Sequence, residues 1–229
     1  MILIDEYKQR VKDIKAFYEI LWFIDNVETY KNRPIMDTNS SSSLLLTRNM
    51  QQCLRAETIL VLYNLIESTF SNCILYIYDN IKDEKICYEK LIPALRKVWF
   101  RDKIHSKLSL DKARNISQSI ADSLTSKMIE FNGLPSDVSG NLDLRKIITI
   151  SKNLGMTLGN IPDVERTGNI LLSIKNKRNE LAHGDRSFSA VGALLTYKEL
   201  LEYRDKTLIF LNFVIDKYQN YVAFKKFRL

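Results

Sequence analysis

ILVLYNLIESTFSNCILYIY, residues 59–78, lies inside a run from Thr47 to Lys82 that contains neither glycine nor proline. Its apolar residues cover nearly every side of a helical projection, which is the pattern of a helix buried on all faces. Asn64 and Glu67 interrupt the apolar run, and unpaired burial of either would be costly. The outward reading is therefore helical. Seven glycines and four prolines punctuate all 229 residues, too few for a chain of short strands and turns.

Upstream, Val11, Ile14, Phe17, Tyr18, Leu21, Ile24 and Val27 recur every three or four positions, which predicts an amphipathic helix from about Ile4 to Tyr30. Residues 31–46 are serine-rich and aperiodic and are expected to form a mobile loop. Downstream, a helix is expected over 83–107, with Pro93 as a kink or break, and another over 110–131. The run NGLPSDVSGN, residues 132–141, reads as a loop. A helix near 143–154 stops at Gly155, and the next spans about 164–183 with Gly184 as its left-handed cap. Thr196 and Glu199 form a capping box that opens a last helix to about Phe227. With no strand alternation and no composition break, the expectation is one all-α domain over residues 1–229, a bundle of six or seven helices.

Composition narrows the function classes. The chain carries 34 Lys+Arg against 27 Asp+Glu, a charge of +7, and is 45% apolar, enough for a core. The positive balance fits a polyanion partner or simply a soluble basic protein. The longest strictly apolar stretches, such as Ile59 to Tyr63, are far shorter than the roughly 18 residues that cross a bilayer. The first residues lack the basic flank and cleavage site of a secretory signal, so no membrane partner and a cytoplasmic location are expected. Cys53, Cys73 and Cys87 form no CxxC pair and read as core fillers, and two histidines make a metal site or other cofactor unexpected. His105, with Arg101 four residues upstream, reads as a solvated helical residue. Phe210, Phe213, Tyr218 and Tyr221 read as core or interface, and the tail Phe224–Arg228 as a solvated end.

One motif carries chemistry. In KNKRNELAHG, residues 175–184, Arg178 stands five residues before His183 and Asn179 follows the arginine. This R-N-x-x-x-H pattern, beside the buried helix LRAETILVLYNLIEST and ahead of GDRSFSAVG, resembles the signature of the HEPN superfamily (higher eukaryotes and prokaryotes nucleotide-binding), in particular bacterial HEPN proteins of toxin and phage-defence type. The resemblance covers about residues 52–81 and 141–218. It implies a helical, usually dimeric protein and a metal-independent endoribonuclease, with Arg178 and His183 as the catalytic pair and Asn179 in support. It also implies an RNA substrate and a toxin or antiviral defence effector restrained by an antitoxin or defence-system partner. Two departures are visible. Ser173 stands where some family members carry a glutamate, and Asp185 where others carry a tyrosine that a partner nucleotidyltransferase modifies.

The residue types suit the reaction. Attack of a ribose 2′-OH on the adjacent phosphate needs a base, an acid for the leaving 5′-oxygen, and positive charge for the phosphorane. On one helix, Arg178 and His183 point about 140° apart, which predicts a homodimer whose two motif helices compose one cleft. Asn179 lies one turn from His183, placed to orient its ring, and Asn64 and Glu67 are candidates to face Arg178. The alternatives are an exposed cation and a basic C-terminal residue at this helix end, and a non-catalytic HEPN-like module that binds a protein or nucleotide as scaffold or regulator.

Overall fold

The computed structural model describes residues 2–26, 35–36, 43–105, 128–131, 133–134, 138 and 140–229. Among these, seven α-helices follow one another: α1 (Ile2–Asn26), α2 (Arg48–Asp83), α3 (Pro93–His105), α4 (Leu144–Asn153), α5 (Val164–His183), α6 (Phe188–Gly192) and α7 (Tyr197–Ala223). The class is all-α. Within the stretch expected to be a mobile loop, Ile35–Met36 (β1) pairs antiparallel with Ser43–Leu44 (β2), while residues 31–34 and 37–42 lie outside the described residues.

The expected helix over 83–107 is broken. α2 ends at Asp83, a single 3-10 turn occupies Tyr88–Lys90, and Pro93 is the first residue of α3. There its missing N–H costs nothing and its fixed φ suits the helix start. Of the helix expected over 110–131, residues 110–127 lie outside the described residues. Its expected end is not helical, because Met128 bridges to Cys87 and the Ile129 amide donates to the Ile86 carbonyl at 3.0 Å. α2 holds an 18-residue window that by length and composition alone would suffice to cross a bilayer, which the search for strictly apolar runs passed over; 56% of that window is buried inside the fold.

The chain divides into two compact units, with α2, α5 and α7 contributing to both. The first comprises residues 1–66 and 169–209. Its core takes Ile14, Tyr18 and Leu21 from α1, Ile59, Leu62 and Tyr63 from α2, and Ile170, Ile174 and Leu200 from α5 and α7. Polar bonds fix these helices. The Tyr18 hydroxyl donates to the Leu200 carbonyl at 2.7 Å and the Gln51 amide to the Ile24 carbonyl at 3.0 Å. Arg55 pairs with Asp25 at 2.6 Å and donates to the Leu195 carbonyl at 3.0 Å. At Gly192 a Cβ would run into the Gln52 backbone carbonyl, so only glycine lets α6 lie this close to α2.

The second unit comprises residues 67–168 and 210–229. Phe70 meets Tyr218 edge-on at 5.9 Å, the Tyr218 and Ser151 hydroxyls share a buried bond of 3.0 Å, and the Tyr221 hydroxyl donates to the Leu154 carbonyl at 2.8 Å. Tyr78 stacks on Phe131 with centroids 4.0 Å apart. Cys73 is buried and Cys53 and Cys87 half-buried. The carboxyl-terminal tail is solvated except at one position, with Phe224, Lys225, Lys226 and Arg228 exposed. Phe227 is fully buried, the Ile92 amide donates to the Phe227 carbonyl at 3.1 Å and the Leu229 amide to the Lys90 carbonyl at 2.8 Å. Lys225 and Arg228 reach Glu84 at 3.0 and 3.5 Å.

Candidate functional site: the carboxyl-terminal turns of α5

Two features of sequence place the motif. α5 runs uninterrupted to His183, where Gly184 adopts φ +75° and ends it. The chain then folds back, with the Asp185 amide donating to the Glu180 carbonyl at 3.0 Å, the arrangement that satisfies carbonyls left over by a helix end. Arg186 pairs with the Glu180 carboxylate at 3.6 Å and adds to this turn. Arg178, Asn179 and His183 therefore sit on the last two turns of a helix whose end is fixed.

Arg178 is half-buried. Its guanidinium lies over the Tyr63 ring of α2, 4.6 Å from the centroid, and donates to the Asn179 carboxamide oxygen at 3.1 Å. A planar guanidinium held against a fully buried aromatic face and by a neighbouring acceptor is pre-oriented, because less of its rotamer freedom remains to be lost on binding a phosphate. His183 is exposed at the helix end. The two side chains leave α5 in different directions, as a five-residue offset requires.

Asn179 engages Arg178, its carboxamide oxygen accepting from the guanidinium. Asn64 is exposed, so the premise of a buried, unpaired amide does not apply to it. Glu67 accepts from the Gly140 amide at 2.8 Å, which places its bond on the loop before α4. His105 is the last residue of α3.

Sequence reasoning missed a polar chain on the adjoining flank of α5. Lys177 donates to the Ser173 hydroxyl at 3.1 Å, and Ser173 shares a bond of 2.8 Å with the Tyr203 hydroxyl of α7. The i, i+4 spacing of Ser173 and Lys177 was readable, but Tyr203 is 30 residues away and nothing local pairs it. Tyr63 was missed because a buried tyrosine inside an aliphatic run has the same sequence signature as any core aromatic. Nearby, the Glu199 carboxyl is held below the usual carboxylate range, first by the Thr196 hydroxyl, then by the Thr196 amide and the Lys177 charge. Among the described residues, no group of three His, Cys, Asp or Glu side chains could hold a metal ion.

The family model for MAE_28990-like HEPN proteins matches residues 2–227, from α1 through the buried Phe227, and the chain belongs to that family. No curated protein and no solved structure gives a significant match.

Proposed function

We propose that this protein is a metal-independent endoribonuclease, acting as a toxin or antiviral effector that a partner protein restrains. Membership of the HEPN family makes nuclease chemistry a common activity for such a fold. The observation that carries the reading to these residues is the Arg178 guanidinium, held over Tyr63 and by Asn179 on the same two turns that present an exposed His183. In this reading His183 takes the proton from a ribose 2′-OH, whose oxygen attacks the adjacent phosphorus. Arg178 offers paired N–H donors to the phosphorane oxygens, and the 5′-oxygen leaves with a proton supplied by a second acid. The products are a 2′,3′-cyclic phosphate and a 5′-hydroxyl. The second acid is the histidine of another copy, since one helix directs Arg178 and His183 apart.

Purified protein incubated with mixed RNA in EDTA tests the proposal. Fragments ending in 2′,3′-cyclic phosphate or 3′-phosphate are expected from the wild type and none from His183→Ala. Products ending in a 3′-hydroxyl come from attack by water rather than by the 2′-OH and overturn the mechanism. No cleavage by a folded wild type leaves the non-catalytic module.

A further inference from the structure

Within the first unit, α1 and α7 enclose an open groove of about 660 Å³, a volume ordinary for a ligand site. Four of its nine lining residues are aromatic: Tyr18, Trp22, Phe23 and Tyr197. Trp22 and Phe23 are 54% and 47% exposed, an unusual outlay of large apolar surface on one helix turn. The floor is fixed, because the buried Tyr18 is tied by its hydroxyl to Leu200 and covered by the Arg204 guanidinium at 4.9 Å. Arg204 is in turn held by Asp205 at 2.8 Å.

The charges of the lining cancel, Lys15 and Arg204 against Glu19 and Asp205. A neutral wall gives a phosphate no net attraction. It suits a neutral flat ring whose edge carries both donors and acceptors, since the carboxylates accept from amino and imino N–H groups and the guanidinium donates to ring carbonyls. Aromatic density also favours a flat ring over the aliphatic anchors of a partner helix, because ring faces stack. α7 joins this groove to the candidate site. Tyr203 bonds Ser173 of α5, and the next residue, Arg204, lines the groove.

We propose that the α1–α7 groove binds an unpaired base of the RNA strand, stacked on Trp22 with its edge read by Asp205 and Arg204. RNA as the source of the base rests on the ribonuclease reading. The test uses a mixed-sequence 2′-O-methyl RNA decamer, which lacks the attacking hydroxyl and so binds without being cut. The chain has two tryptophans, and Trp99 is 2% exposed, so stacking on Trp22 is read directly as a fall in emission when the decamer is added. Trp22→Leu should abolish that fall and weaken binding of an end-labelled decamer, followed by anisotropy, about tenfold. Arg204→Gln should weaken it severalfold while the emission change persists. The melting temperature of Trp22→Leu should stay unchanged, as the side chain is largely exposed.

Unchanged wild-type emission, or Trp22→Leu binding with wild-type affinity, overturns the base site. So does a halved mass for Trp22→Leu in light scattering, which would make this face a contact between copies, or a groove that takes amphipathic helical peptides in preference to the decamer. Cleavage of unmodified RNA is scored separately. Quenching without cleavage keeps the base site and overturns the ribonuclease reading, and cleavage without quenching does the reverse.

Discussion

Arg178 and His183 differ in what removing them does to the fold, and that difference separates chemistry from packing. His183 is exposed, so His183→Ala should abolish cleavage while stability stays within about 0.5 kcal/mol of wild type. Arg178 lies over Tyr63, so Arg178→Ala should abolish cleavage and also lower stability by about 1 kcal/mol, the worth of a partly desolvated cation–π contact. Asn179→Ala leaves both side chains in place and removes one of the contacts that orient the guanidinium. It should lower kcat about tenfold with little change in melting, the scale expected when an orienting partner is lost. Kinetics and thermal melts on the three variants check this, and a fully active His183→Ala would remove the assignment. The Arg178–His183 pair was legible because its spacing is local. Tyr63 was not, because what distinguishes it from Tyr218 or Tyr78 is a cation that arrives from α5, 115 residues along the chain.

At the scale of elements, capping chemistry decides where α7 begins. The Thr196 amide and hydroxyl donate to Glu199 at 2.8 and 2.7 Å, and the Glu199 amide donates to the Thr196 hydroxyl at 3.2 Å. Because these bonds favour the ionised carboxyl, its folded pKa lies below the unfolded one. The stabilisation is present above the ordinary glutamate value of about 4.3 and is lost as pH falls through the depressed folded value. Glu199→Gln should therefore be less stable than wild type by a few tenths of a kcal/mol at pH 7, roughly 0.3–0.5 for an exposed charge at a helix N-terminus, and denaturant melts should show the gap closing in acid. The tail gives a larger effect. Phe227→Ala empties a fully buried site and should cost about 3–5 kcal/mol, measured by the same melts. α5 and the start of α7 were legible because glycine and capping residues mark their ends locally. The tail reads locally as a charged, solvated end, and what that reading leaves out is the burial of Phe227 and the bonds to the distant Lys90, Ile92 and Glu84. The five-residue α6 is shorter than the window of about 11 residues over which a helical pattern registers, and Pro93 read as a breaker because its place at a helix start depends on where α2 stops.

At the scale of the whole molecule, the proposed cleavage, placed on α5, asks for a second copy. At about 100° per residue, Leu172, Asn176, Asn179 and His183 fall within an arc of roughly 60°, and Leu172 is 39% exposed on it. Arg178 lies on the flank of that arc, toward Tyr63. A two-fold contact along the arc would set two histidines face to face with an arginine on either side, the composite cleft the reaction needs. Beyond the motif, Phe188 and Leu194 are 37% and 56% exposed and could extend the apolar part of such a contact to the roughly 1,200 Å² that a stable interface buries. Light scattering at micromolar concentration should then report about twice the 26.7 kDa chain mass. Leu172→Asp, which puts a charge on the arc without touching Arg178 or His183, should yield a folded monomer with cleavage reduced at least a hundredfold. Mixing His183→Ala with wild-type chains should lower specific activity by more than dilution alone, because heterodimers carry one histidine per cleft. A Leu172→Asp monomer that cleaves RNA at the wild-type rate would place both acid and base within one chain, with Lys177 on the other flank of α5 and Tyr203 of α7 as the candidate second proton donors.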